Sequence, residues 1–211
     1  MAAFLGNLRN VVIAGLVLAI LVIAVRFSYG GLDFAGEAFW AYIIRVLHVI
    51  SGVMWIGLLW YFNFVATPTM PSIPAELRPA LGKYITPAAL FWFRWGAMST
   101  LVFGILLAGI NRYIVQAYTL DIVNDPTGKA FGTPSYLLIG IGMWFATIMW
   151  FNVWFVIWPN QQKALSLNPA YANLDAAART AAGGTAGRFS RINTLLSIPM
   201  LFCMVAASHM P

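Results

Sequence analysis

Arg45-Val46-Leu47-His48-Val49-Ile50-Ser51-Gly52-Val53-Met54-Trp55-Ile56-Gly57 is apolar apart from one arginine and one histidine. It lies within a longer apolar stretch, about residues 37–66, of the length that crosses a lipid bilayer. An ionisable side chain inside such a stretch is costly and marks a functional position. His48 is one of two histidines in the chain, and imidazole is the commonest metal ligand and a frequent haem-iron ligand.

The rest of the chain has the same character. Of its 211 residues 61% are hydrophobic and 9% charged, far below the roughly 25% charged that soluble domains carry. Mean hydropathy is +0.81. Four further stretches are long and apolar enough to span, so five spans are expected, at about 11–27, 37–66, 90–112, 135–158 and 191–209. The expected fold is an all-α integral membrane bundle in one domain, 1–211. Strands of a β-barrel would be shorter and alternating. Nine Trp and eight Tyr suit two interfacial aromatic belts. Arg9 followed by Val11–Val25 resembles a signal peptide, but no small-x-small cleavage site follows, so a retained helix is expected.

Turn residues divide the spans. Thr67-Pro68-Thr69-Met70-Pro71 is expected to end the second, and Asn124-Asp125-Pro126-Thr127-Gly128 breaks the third loop. Pro159 opens a cytoplasmic loop, 159–190, in which Asn168 to Ala182 forms a short surface helix stopped by Gly183-Gly184. Arg9, Arg78, Lys83, Lys163, Arg179, Arg188 and Arg191 fall on one side of the membrane. Arg26, Arg112 and Lys129 fall on the other, with Asp33, Glu37, Asp121 and Asp125. The positive-inside rule then puts the N-terminus in the cytoplasm and the C-terminus in the periplasm of a bacterial inner membrane protein. The net charge of +6 is spread over short loops with no basic run, so nucleic acid is not an expected partner. The lipid bilayer is.

Two constellations bear chemistry. Arg45, His48, Gly52 and Trp55 share one helix face. That face suits haem b: His48 ligates iron, Gly52 leaves room for the macrocycle, Trp55 packs on it, and Arg45 pairs with a propionate. The plainer reading is a histidine bonded to a neighbouring helix, with Gly52 as a packing contact. His209 is the one other histidine that can ligate, or else a solvated terminal residue. Eighteen residues from Arg191 give about 27 Å of helix, which puts His209 near the outer boundary, while His48 is about 12 Å deep. That offset must close for a bis-histidine haem. Met54, Met98, Met200 and Met204 are alternative ligands but read as packing. The second constellation, Asn63, Arg94, Asn152, Arg191 and Asn193, lies at similar depth toward the cytoplasm. It forms either a pocket for a planar or anionic molecule or a set of snorkelling and helix-bridging groups.

Other features carry less. Gly96, Thr100, Gly104 and Ala108 form a small-residue packing seam. Gly140-Ile141-Gly142 lacks the spacing of a nucleotide fingerprint. Cys203 reads as a small buried hydrophobe. No intramembrane carboxylate is available for a proton pump, and no inverted repeat or broken-helix pair suggests a transporter.

His48-Val-Ile-Ser-Gly-Val-Met-Trp-Ile-Gly-Leu-Leu-Trp-Tyr-Phe-Asn-Phe64, Phe93-Arg-Trp-Gly96, Gly142-Met-Trp, Met149-Trp-Phe-Asn-Val-Trp-Phe-Val-Ile-Trp-Pro-Asn160, and Ser190-Arg-Ile-Asn-Thr-Leu-Leu-Ser-Ile-Pro-Met200 through Ser208-His209 resemble the urate oxidase N-terminal domain. This is the membrane region of PuuD-type bacterial urate oxidases. The resemblance implies a membrane oxidoreductase that delivers electrons from urate, or another small reduced donor, to a c-type cytochrome of the respiratory chain. It places His48 and His209 inside family motifs. In the family the cytochrome is fused after the membrane region. No C-x-x-C-H occurs in this sequence, so a separate periplasmic c-type cytochrome is the expected partner. An accessory or structural subunit of a larger respiratory or other membrane complex is the competing expectation.

Overall fold

The computed structural model describes residues 2–28, 35–122 and 134–209. The turn expected at 124–128 and the charges Asp33, Asp125 and Lys129 lie outside them. After a short helical turn, Ala2–Leu5, α1 covers Leu8–Ser28. Then come α2 (Glu37–Ser72), α3 (Arg78–Ile110), the short α4 (Ile114–Tyr118), α5 (Ser135–Leu165) and α6 (Ala176–His209). All but α4 are long and apolar enough to cross a membrane, so five spanning helices stand as expected. No strand occurs among the described residues. The chain forms two compact units, Met1–Tyr42 and Ile43–Pro211. In the first, the apolar window of α1 has no buried residue, as suits a helix solvated by lipid.

The helices outrun the apolar segments that announced them, and the difference has one recurring cause. Pro68 does not end α2, and Pro159 does not open a loop. Each follows a stretch of wider π-helix, Tyr61–Ala66 and Asn152–Ile157. A third such stretch, Leu81–Ile85, precedes Pro87. A helical proline lacks the N–H for its i−4 carbonyl, and its ring collides with that carbonyl. Widening the preceding turn by one residue moves the carbonyl aside, and the helix continues. The segment 159–190, expected as a loop, is therefore mostly helical. Only residues 166–175 interrupt it, with a 3-10 turn at Pro169–Tyr171. Gly183-Gly184 does not stop α6 either: Gly183 packs toward the Cβ of Ala164, where α6 meets α5.

The second unit has one principal core. Trp55, Leu59, Phe93, Ala97, Met149, Val153, Ile157, Ala186 and Met200 bring α2, α3, α5 and α6 together. The third span ends at Ile110, slightly earlier than expected, because the chain turns sharply there. Arg112, Leu120 and Asp121 all adopt left-handed backbone angles, and α4 folds back on α5. The Tyr118 hydroxyl and the Thr147 hydroxyl share a 3.0 Å bond, and Trp144 Nε1 donates to the Tyr118 carbonyl at 3.0 Å.

Gly140 makes this fold-back possible, since a Cβ there would collide with the Ala117 carbonyl. Gly140→Ala is expected to cost about 2 kcal/mol or more through overpacking. Gly187→Ala, where nothing lies within 4 Å of the added Cβ, is expected to gain up to about 1 kcal/mol of helix propensity. Thermal unfolding of both variants in detergent micelles checks the contrast.

Candidate functional site

The His48 face of α2 and the small-residue seam of α3 are partners. His48 lies against Gly104, Gly52 against Thr100, and the backbone of Trp55 against Gly96. As the numbers rise on one helix they fall on the other, so the two run antiparallel in fixed register. A Cβ on Gly96 would sit 3.3 Å from the Trp55 nitrogen, and one on Gly104 would sit 2.9 Å from His48 Cε1. Glycine at both positions is what lets the helices approach this closely.

Gly104 also opens a polar partner for the imidazole. In an α-helix the residue four positions on sits over a given carbonyl. With glycine at that position, the ring of His48 reaches the Thr100 carbonyl, and Nδ1 donates to it at 2.9 Å. A carbonyl can only accept, so Nδ1 carries the hydrogen and Nε2 of the neutral ring holds the lone pair. A backbone carbonyl holding one imidazole nitrogen while the other stays available is how ligating histidines are commonly oriented. Thr100 is itself anchored, its hydroxyl donating to the Gly96 carbonyl at 2.7 Å.

His48 borders a small cavity of about 30 Å³, lined also by Tyr118, Met143, Ala146 and Met204. Imidazole with thioether sulfur is a donor set for a soft or redox-active metal. The same cavity is too small for haem b, because pockets for ligands of that size run to about 300–1,000 Å³. Nor does the expected face lie open: the room Gly52 leaves is met by the Thr100 methyl at 3.8 Å. Trp55 is fully buried in the core. Arg45 is exposed and acts on Tyr113, whose phenol pKa is raised by burial and lowered by that charge. As packed, the cavity beside His48 offers an imidazole suited to an axial ligand but less volume than a macrocycle needs. His209 does not line the cavity. It is exposed at the end of α6, and its Nδ1 donates to the Val205 carbonyl at 3.1 Å, a position favoured for a basic group at a helix C-terminus.

The second constellation separates into bridges. Asn193 Nδ2 donates to the Met149 carbonyl and Asn152 Nδ2 donates to Asn193 Oδ1, both at 2.9 Å. Asn63 Nδ2 donates to the Leu59 carbonyl and to Ser190 Oγ. Trp60 Nε1 donates to Ser197 Oγ, which donates to the Thr194 carbonyl. These bonds tie α6 to α2 and α5. The Arg94 guanidinium lies over Trp158 at 3.7 Å and over Phe91 at 5.8 Å. Arg191 is exposed. The structure thus joins Asn152 to Asn193, while Asn63 bonds elsewhere on α6 and Arg94 stacks on aromatic rings. Among the described residues three indole donors, on Trp55, Trp150 and Trp154, are buried without an acceptor, and each leaves about 1–3 kcal/mol unrecovered.

Thr100, Gly104 and Met143 are the site residues that residue chemistry alone misses. The one sequence signal for two of them is the seam itself, which reads as packing.

A polytopic all-α membrane protein with a half-buried, backbone-oriented histidine is the class that fold and site define. Within it, residues 128–211 match the family model described as Urate oxidase N-terminal. This agrees with the resemblance read from the motifs and covers α5 and α6, including Asn152, Arg191, Asn193 and His209. His48 and the rest of α2 and α3 lie outside the match. No curated protein and no solved structure matches the chain.

Nitrogen NMR of imidazole-labelled protein is expected to show His48 protonated at Nδ1 and not at Nε2. Gly104→Ala, by pressing on the ring, should abolish that tautomer preference and cost about 1–3 kcal/mol. Asn193→Leu should cost about 1 kcal/mol by leaving Asn152 without its acceptor, read as a lower unfolding temperature.

Proposed function

We propose that this chain is a membrane-embedded redox protein of the urate oxidase kind, with His48 Nε2 as the ligand of its redox metal. The observation that carries the reading is the His48 to Thr100 bond, which occupies Nδ1 and leaves the lone pair on Nε2, in a ring that borders the cavity shared with Met143 and Met204. The family match over α5 and α6 supports the link to urate oxidation. Electrons from urate or another small reduced donor would leave through this centre to a c-type cytochrome. The protein's own contribution is to hold one imidazole tautomer, exclude water, and set the potential through burial. Haem b in this role requires α2 and α3 to part beside Gly52, so the chain as packed favours a single ion.

Metal analysis and a reduced-minus-oxidised spectrum of the purified chain test the reading. About one iron or copper per chain is expected, with at least a tenfold loss in His48→Ala, as for disrupted metal sites. Haem absorbance that disappears in the same variant would place a macrocycle in an opened bundle. Metal-free protein, or metal content indifferent to His48, would sink the proposal.

A second reading is an accessory subunit of a larger membrane complex. Its support is that the His48 side-chain hydrogen bond to Thr100 and the packing of its ring against Gly104 join α2 to α3. It expects His48→Ala to weaken assembly with the partner complex while leaving metal content unchanged.

A further inference from the structure

Two arginines are held in the same unusual way at one end of the bundle. Arg78 Nε donates to the Ile73 carbonyl at 2.8 Å, and its Nη2 donates to the Pro71 carbonyl at 3.0 Å. Arg179 Nε donates to the Leu174 carbonyl at 3.0 Å, and its Nη2 donates to the Ala172 carbonyl at 2.8 Å. In each case the partners lie five and seven residues back. Each guanidinium therefore closes the loop that leads into its own helix, α3 or α6. Two of its five N–H groups are used, and three remain. Neither arginine is paired with a carboxylate among the described residues.

Both arginines line one cleft of about 600 Å³, with Lys83, Ser166 and the turn Ala164–Leu167 as further walls. Among the described residues no acidic side chain lines it. Glu76 is near in sequence but is not one of the lining residues, and Asp175 accepts from the Ala178 N–H at 2.6 Å. Lys83 has no hydrogen-bond or carboxylate partner among the described residues. Its Nζ rests 5.2 Å from the Tyr84 ring centroid. The Ser166 hydroxyl is buried without a hydrogen-bond partner among the described residues, on a residue with left-handed backbone angles. Three cations and an unsatisfied hydroxyl thus border the same opening. The two arginines are already immobilised, so a ligand loses little side-chain freedom in binding them.

We propose that this cleft binds a phosphate-bearing anion, with the free edges of Arg78 and Arg179, Lys83 and Ser166 Oγ as its donors. The guanidinium fork matches phosphate oxygens. The site lies where α3, α5 and α6 reach their ends. Leu77, Tyr84 and Ile85 are exposed beside it, a setting for a lipid headgroup with its acyl chains alongside the helices. A soluble phosphate compound presents the same chemistry.

The test is thermal unfolding of the intact chain in a neutral maltoside detergent, followed by tryptophan fluorescence at constant ionic strength. The probes are dioleoylphosphatidylglycerol, dioleoylphosphatidylcholine and inorganic phosphate. Phosphatidylglycerol is expected to raise the midpoint by about 2–4 °C, as ligand linkage predicts for a chain of this size. Phosphatidylcholine should leave it unchanged. Lys83→Gln, which removes no hydrogen bond from the fold, should at least halve the shift, and Arg179→Gln should halve it again. A shift with inorganic phosphate alone would assign the cleft to a soluble phosphate compound. Equal shifts with both lipids, no shift with any probe, or a shift unchanged by Lys83→Gln would overturn the proposal.

Discussion

The hydrogen bond from His48 to the Thr100 carbonyl sets the register on which the bundle depends. Inside a membrane there is no water to solvate a stray imidazole, so the ring must find a partner within the protein. It finds one only because Gly104 leaves the carbonyl uncovered. Once His48 is seated, Gly52 meets Thr100 and Trp55 meets Gly96. Trp55 then enters the core beside Leu59, Phe93 and Met149. The bond fixes the packing of α2 on α3 and the tautomer of the imidazole together, so structure and chemistry share one contact.

The same need to satisfy every polar group explains features that look unrelated. Asn63, Asn152 and Asn193 span between helices, and their bonds replace the solvent that the bilayer denies them. Pro68, Pro87 and Pro159 are absorbed by widened turns, because an exposed carbonyl in lipid costs more than a local change of pitch. Arg94 places its charge over Trp158, where the ring face stabilises a cation at partial burial. Beyond the apolar segments the loops close on arginine side chains, which return the loop carbonyls to hydrogen-bonded partners.

Much of this was legible in residue order. Apolar segments of membrane length announced five spans. His48 and the intramembrane asparagines stood out because such groups are rare in lipid. The motifs of residues 142–209 pointed to the family that matches 128–211. The misreadings arose where a local rule met a tertiary partner. Pro68, Pro159 and Gly183-Gly184 are breakers in isolation, yet here they lie inside helices. Around Gly52 a single helix shows which side chains are small; only packing shows what meets the space they leave, here the Thr100 methyl.

The sequence by itself determined the solvent, the number of spans and the residues that needed partners, since these follow from the transfer cost of each side chain. Tertiary structure alone decided which partners they took. Thr100 offers its carbonyl to His48 only through the antiparallel register of α2 and α3. The cavity joins His48 to Met143 and Met204, residues far apart in the chain, and leaves His209 outside. Arg78 and Arg179 come to one cleft only when the ends of α3 and α6 meet. Pairing of this kind depends on which helix faces lie together, and that is settled by the packing of all four core helices at once.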